Sequence, residues 1–223
     1  MLKTDRVHLT AEDGHKFSAY TASPPGEAKG GLVILQEIFG VNHHIRNVVD
    51  GFARDGYAAI APAVFDRVQA DYQADYEPQA VAAGREVAMA LGSEGPLKDI
   101  AAAIEAVRQY GQVGVVGYCW GGTFAWLSAT RLKPAAAVAY YGGRIPDLVD
   151  EQPSCPVIMH FGERDAHIPM TSVETVRQAH PDIPIYTYPA DHGFNCDERA
   201  EYDAASAKLA RERTLEFLEL HIS

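Results

Sequence analysis

The chain is 223 residues long and 47% hydrophobic, and its 19 Lys and Arg against 30 Asp and Glu give a formal net charge of −11. That much apolar material builds the core of one α/β domain, and the acidity disfavours nucleic acid and anionic membrane surfaces as partners. No apolar run approaches the roughly 20 residues of a membrane span. The opening Met1-Leu2-Lys3-Thr4-Asp5-Arg6 has no apolar secretory core, and Cys119, Cys155 and Cys196 form no CxxC pair. These features predict a reduced, cytoplasmic protein with one domain over residues 1–223, a monomer or small homo-oligomer acting on a small molecule.

In chain order, Arg6 to Thr10 and Lys16 to Thr21 flank the turn Glu12-Asp13-Gly14 and predict an antiparallel hairpin. Gly31-Leu32-Val33-Ile34-Leu35 is a continuous apolar run, the pattern of a strand buried on both faces. A helix follows over His43 to Asp55, with Asn42 as N-cap and Gly56 as its stop. Tyr57 to Ala61 reads as the next strand, ended by Pro62, and Glu77 to Leu91 and Pro96 to Tyr110 read as helices. Residues 112–116 read as a strand and Thr123 to Leu132 as a helix. Ala135 to Tyr140 and Val157 to Phe161 are further buried strands. Ser172 to Ala179 is a helix, Pro184 to Tyr188 a strand, and Ala200 to Leu220 a long terminal helix. Strands alternating with helices predict a mostly parallel central sheet with an N-terminal antiparallel hairpin and helices on both faces, an α/β-hydrolase arrangement.

The strongest motif is Gly117-Tyr118-Cys119-Trp120-Gly121-Gly122, at a strand-to-helix junction. That is the context of a nucleophile elbow, in which a strained turn needs small residues two before and two after the nucleophile. Here the nucleophile position is a cysteine. A thiol at a helix N-terminus is favoured as thiolate and needs a base, which in turn needs an acid to orient it. In hydrolases of this order the acid and the histidine follow the nucleophile in the chain. Asp165, after the strand ending at Phe161, fits the acid, and His192, after the strand ending at Tyr188, fits the base. Glu163 and Asp191 are alternative acids by spacing. His43 and His44 open a helix near the site mouth, His160 reads as a core histidine, and His167 reads as a surface residue. No His, Cys, Asp and Glu set has metal-ligand spacing, so the sequence predicts neither metal nor other cofactor. Oxyanion N–H groups are expected after the nucleophile and in the loop after the Leu35 strand, at Trp120 and Ile38. Glu37, leaving a buried strand, is then positioned to hydrogen-bond the Cys119 thiol. Phe39, Tyr76, Tyr118, Trp120 and Phe194 are expected to wall the pocket.

With Gln36-Glu37-Ile38-Phe39-Gly40-Val41-Asn42, the cysteine elbow, Asp165 and His192 together, the chain resembles the dienelactone hydrolase (carboxymethylenebutenolidase) family. The resemblance runs from about residue 5 to 220, including Arg54-Asp55-Gly56-Tyr57-Ala58-Ala59 and Glu212-Arg213-Thr214-Leu215-Glu216-Phe217-Leu218. It implies an α/β-hydrolase with a Cys-His-Asp triad that opens the enol-lactone ring of dienelactone during chloroaromatic degradation. It also implies that Glu37 holds the resting thiol neutral and takes its proton when substrate binds. The family binds its substrate carboxylate with two arginines, one of them four residues after the histidine. Cys196 stands at that position here, so Arg199 and Arg85 are the substitutes. The altered arginine pattern keeps a general esterase or thioesterase open as an alternative. A thiol redox sensor pairing Cys119 with Cys196, or a non-catalytic scaffold, is a further one.

Overall fold

The computed structural model describes residues 1–223. Its strands are β1 (Lys3–Thr10), β2 (Lys16–Ser23), β3 (Gly31–Leu35), β4 (Ala58–Pro62), β5 (Val113–Tyr118), β6 (Ala136–Tyr140), β7 (Val157–Gly162) and β8 (Ile185–Tyr188). They form one sheet in the order β1-β2-β4-β3-β5-β6-β7-β8. β1 pairs antiparallel with β2 and β2 antiparallel with β4, and every later pairing is parallel. The sheet is thus mostly parallel with an antiparallel N-terminal hairpin.

The helices are α1 (His43–Arg54), α2 (Pro78–Leu91), α3 (Glu94–Val107), α4 (Trp120–Arg131), α5 (Met170–Ala179) and α6 (Ala204–Ile222). Every residue of β3 to β7 is buried, because helices cover both faces of the sheet. α3 turns Leu97, Ile100, Ala103, Ile104 and Val107 inward at helical spacing. α4 buries every residue from Gly121 to Ala129, so the elbow helix sits inside the molecule rather than on it.

Several boundaries depart from the sequence reading by a few residues, three of them for a clear local reason. Pro62 ends β4 from within, opposite Ala19 of β2. Pro96 lies in the first turn of α3, where its missing N–H costs no helical bond, so the helix starts at Glu94. α6 begins at Ala204, because the Asp203 side chain caps it by accepting from Ser206 N at 2.8 Å. Residues 193–203 are therefore loop, and this loop carries Arg199.

Candidate active site

β5 ends at Tyr118 and α4 begins at Trp120, leaving Cys119 alone between them at φ 53°, ψ −115°. A non-glycine residue there stores on the order of 1–3 kcal/mol of strain and persists only where its surroundings over-determine it. They do so here: Cys119 N donates to Tyr140 O at 3.0 Å, and Gly121 N donates to Gln36 O at 3.0 Å. A Cβ on Gly117 would overlap the Gly121 carbonyl, and one on Gly121 would overlap the Leu35 carbonyl. Both positions therefore exclude side chains, and the thiol is held at the C-terminal edge of the sheet.

The loops after β7 and β8 meet it there. His192 Nε2 lies 3.1 Å from Cys119 Sγ, and its Nδ1 lies 2.7 Å from Asp165 Oδ2. The other Asp165 oxygen accepts from the N–H groups of His167 at 2.8 Å and Ile168 at 3.1 Å, so the carboxylate cannot rotate away without losing both. Asp165 is 4% exposed and His192 9%. Burial opposes the charged form of each, but contact wins. His192 and the two backbone donors hold Asp165 below its ordinary carboxylate range. For His192, burial is outweighed by its interactions with the Cys119 sulfur and with Asp165, which together push it up to about 10. The alternative acids are engaged elsewhere: Glu163 accepts from Thr187 Oγ1 at 3.0 Å, and Asp191 accepts from the backbone N–H of His192, not from its ring.

Neither Ile38 N–H nor Trp120 N–H donates to a turn, loop or cap carbonyl. The Gly121–Gln36 bond ties the elbow to the loop holding Ile38, and both residues line the cavity that Cys119 and His192 face. The cavity measures about 1430 Å³. Two free N–H groups lining one cavity with a thiol are of the kind that can stabilise a developing oxyanion.

The Glu37 expectation needs correction. Its carboxylate is fully buried but makes no hydrogen bond to Cys119. Instead Oε1 accepts from Arg199 Nη1 at 3.2 Å. A guanidinium offers a charge-assisted bond, a stronger partner than a thiol. Arg199 also lies 5.9 Å from the Phe39 ring centre and 6.0 Å from that of Tyr76. Arg85, on α2, reaches the same cavity and makes no ion pair or hydrogen bond with any other side chain. The structure thus brings both substitute arginines to one cavity.

Phe39, Tyr76 and Trp120 line the cavity, but Tyr118 and Phe194 do not. Tyr118, the last residue of β5, is 1% exposed with its ring tilted against that of Tyr140, and Phe194 is fully buried among Tyr140, Tyr141 and Tyr188. Both are core residues because their rings pack among the tyrosines at the ends of β6 and β8. His160 is a satisfied core histidine, bonded to Tyr188 and Thr214. His167 is exposed as expected, yet it also lines the cavity edge-on to His192 at 5.4 Å. His43 and His44 do open α1. The cavity also receives Arg144, missed in the sequence although it follows β6, at the sheet edge where α/β sites are built. A set of possible metal ligands that spacing concealed, Glu37, His44 and Cys196, comes together beside the site.

Comparison with known proteins decides the family. A sequence model described as the dienelactone hydrolase family matches residues 17–222. The chain belongs to the dienelactone hydrolase family. It is 33% identical to a carboxymethylenebutenolidase of Pseudomonas putida over 229 residues, covering 96% of each chain. It is 30% identical to carboxymethylenebutenolidase 1 of Cupriavidus pinatubonensis, again over 96% of each. A crystal structure of a candidate dienelactone hydrolase from Klebsiella pneumoniae superposes with a TM-score of 0.84 at 30% identity, covering 97% of this chain and 98% of that one. The fold is accordingly that of α/β-hydrolases, and membership makes this chain an ester-hydrolysing enzyme. No helix is long and apolar enough to cross a membrane.

Proposed function

We propose that this dienelactone hydrolase family member, acting as one domain, cleaves small lactones or activated esters through an acyl-cysteine intermediate on Cys119. The observation that carries the reading is the relay from Cys119 Sγ to His192 Nε2 at 3.1 Å and from His192 Nδ1 to Asp165 Oδ2 at 2.7 Å. In the proposed reaction the Cys119 thiol passes its proton to His192 Nε2 as the sulfur attacks the carbonyl carbon, and the oxyanion rests on the N–H groups of Ile38 and Trp120. The C–O bond breaks and the leaving oxygen takes a proton from the His192 imidazolium. Water then attacks the thioester, with His192 accepting its proton, and the acid leaves as the thiol re-forms.

Arg199 and Arg85 would hold a substrate carboxylate, which supports an anionic lactone or ester despite the net charge of −11. A larger ester or thioester is a second reading, favoured by the cavity volume of about 1430 Å³, ample for more than a single small ring. Both readings are tested by one panel of cis- and trans-dienelactone, aryl acetates and acyl thioesters, with the native chain and with Cys119→Ala. Lactone turnover above that of aryl acetates supports the first and thioester preference the second. Full turnover by Cys119→Ala on any of these substrates would remove both, leaving the redox or scaffold role.

A further inference from the structure

Arg199 engages only one oxygen of Glu37. The other, Oε2, is buried and makes no hydrogen bond. The same is true of Nε2 of His44, a residue 3% exposed in the first turn of α1. A carboxylate oxygen of Glu37, a ring nitrogen of His44 and the sulfur of the fully buried Cys196 lie within 4.8 Å of one another. His44 is held from behind: its Nδ1 lies 3.0 Å from Asp197 Oδ1, next to Cys196 in the chain. A carboxylate on Nδ1 makes that nitrogen the N–H and leaves the lone pair on the buried, unpartnered Nε2. A carboxylate oxygen and an imidazole lone pair therefore converge with a thiol in a region without water access, and neither acceptor has a protein donor.

Such a set is complete once a cation joins it. We propose that Glu37, His44 and Cys196 form a binding site for one zinc-like divalent cation, with Asp197 as the outer carboxylate that orients His44. The donors are one oxygen, one nitrogen and one sulfur, which suit a borderline-soft ion such as Zn²⁺ or Co²⁺ and not the all-oxygen shells of Ca²⁺ or Mg²⁺. Three protein ligands leave a fourth position for the tetrahedral shell. On binding, the Cys196 S–H bond breaks, sulfur bonds to the ion, and the proton leaves to the solvent. The two charges of the ion are then matched by the thiolate and the Glu37 carboxylate. The ion would grip the carboxylate that Arg199 shares, one residue from the Ile38 N–H. The site is distinct in its sulfur from Cys119, and it does not depend on the proposed hydrolysis.

The test must exclude the Cys119–His192 pair, which also offers sulfur and imidazole. The Cys119→Ser chain is therefore titrated with Zn²⁺, and with Co²⁺ for its thiolate-to-metal absorption in the near ultraviolet. The expected result is one ion per chain, a cobalt–thiolate band, and about one proton released per ion. Adding Cys196→Ser abolishes the band. Adding Asp197→Asn, at an exposed side chain that the core does not need, weakens binding about 10–100-fold. That surface variant carries the test if Cys196→Ser fails to fold. Absence of binding by the Cys119→Ser chain overturns the proposal, as does binding that Asp197→Asn leaves unchanged.

Discussion

Arg199 and Glu37, 162 positions apart, form an ion pair at 3.2 Å in which the Glu37 side chain is 1% exposed and the Arg199 side chain 15%. The pair joins the loop after β3 to the loop before α6. It gives the buried carboxylate a counter-charge, while Arg199 Nε donates to Glu201 Oε2 at 3.3 Å. Burial works against the charged Arg199, but Glu37 outweighs it and raises Arg199 above its ordinary range.

Removing only the arginine strands a buried carboxylate, which typically costs about 3–5 kcal/mol. Arg199→Ala is expected to lower unfolding stability by about that much in urea titrations. The double variant Glu37→Gln with Arg199→Ala should regain most of the loss, since no buried charge then lacks a partner. A single Arg199→Ala variant as stable as the native chain would contradict the pairing. In the same variant, the KM for an anionic ester should rise more than the KM for a neutral one.

Cys119 offers a separation of chemistry from strain. Its positive φ suits glycine better than any residue with a Cβ. Cys119→Ala and Cys119→Gly should both lose ester hydrolysis, but Cys119→Gly should be the more stable of the two by about 1 kcal/mol. Equal melting temperatures for the two variants would mean that the elbow is not strained.

Asp165→Asn should leave the fold intact and reduce kcat by about 10²–10⁴-fold, because the amide no longer fixes the His192 tautomer or its positive form. Stopped-flow detection of the acyl-enzyme on an aryl ester would resolve whether acylation is the step that slows.

His192 sets a pH dependence whose sign follows from its raised value. Folded, it is pushed up from 6.5 to about 10, so the folded chain keeps a proton that the unfolded chain releases. That contribution to stability is fully present below pH about 6.5 and is lost as pH rises through about 10. The interaction with Cys119 is the foremost influence raising it. Cys119→Ala should therefore move the loss to lower pH, as read from melting temperature against pH and from the imidazole resonances of His192.

His160 acts in the opposite direction. Full burial brings it down from 6.5 to about 3. Its folded form refuses a proton that the unfolded chain accepts, so stability falls as pH drops below about 6.5 and goes on falling until about 3. His160→Gln, which can keep bonds to Tyr188 and Thr214, should flatten that acid limb; an unaltered limb would assign it to other groups.

The sequence by itself determined the strand and helix order, the cysteine elbow and the chain order of Asp165 and His192. These are local matters: a buried strand must be apolar throughout, and the sharp turn at Cys119 must have Gly117 and Gly121 on either side. The tertiary structure alone decided which groups meet. It chose Asp165 over Glu163 and Asp191, and gave Glu37 to Arg199 instead of to Cys119. It sent Tyr118 and Phe194 into the core, and it gathered Glu37, His44 and Cys196 from three separate segments. Periodicity reports which face of an element is buried. Which side chains share a site depends on how distant loops are set against one another by the packed sheet, and that information lies in no single stretch of the chain.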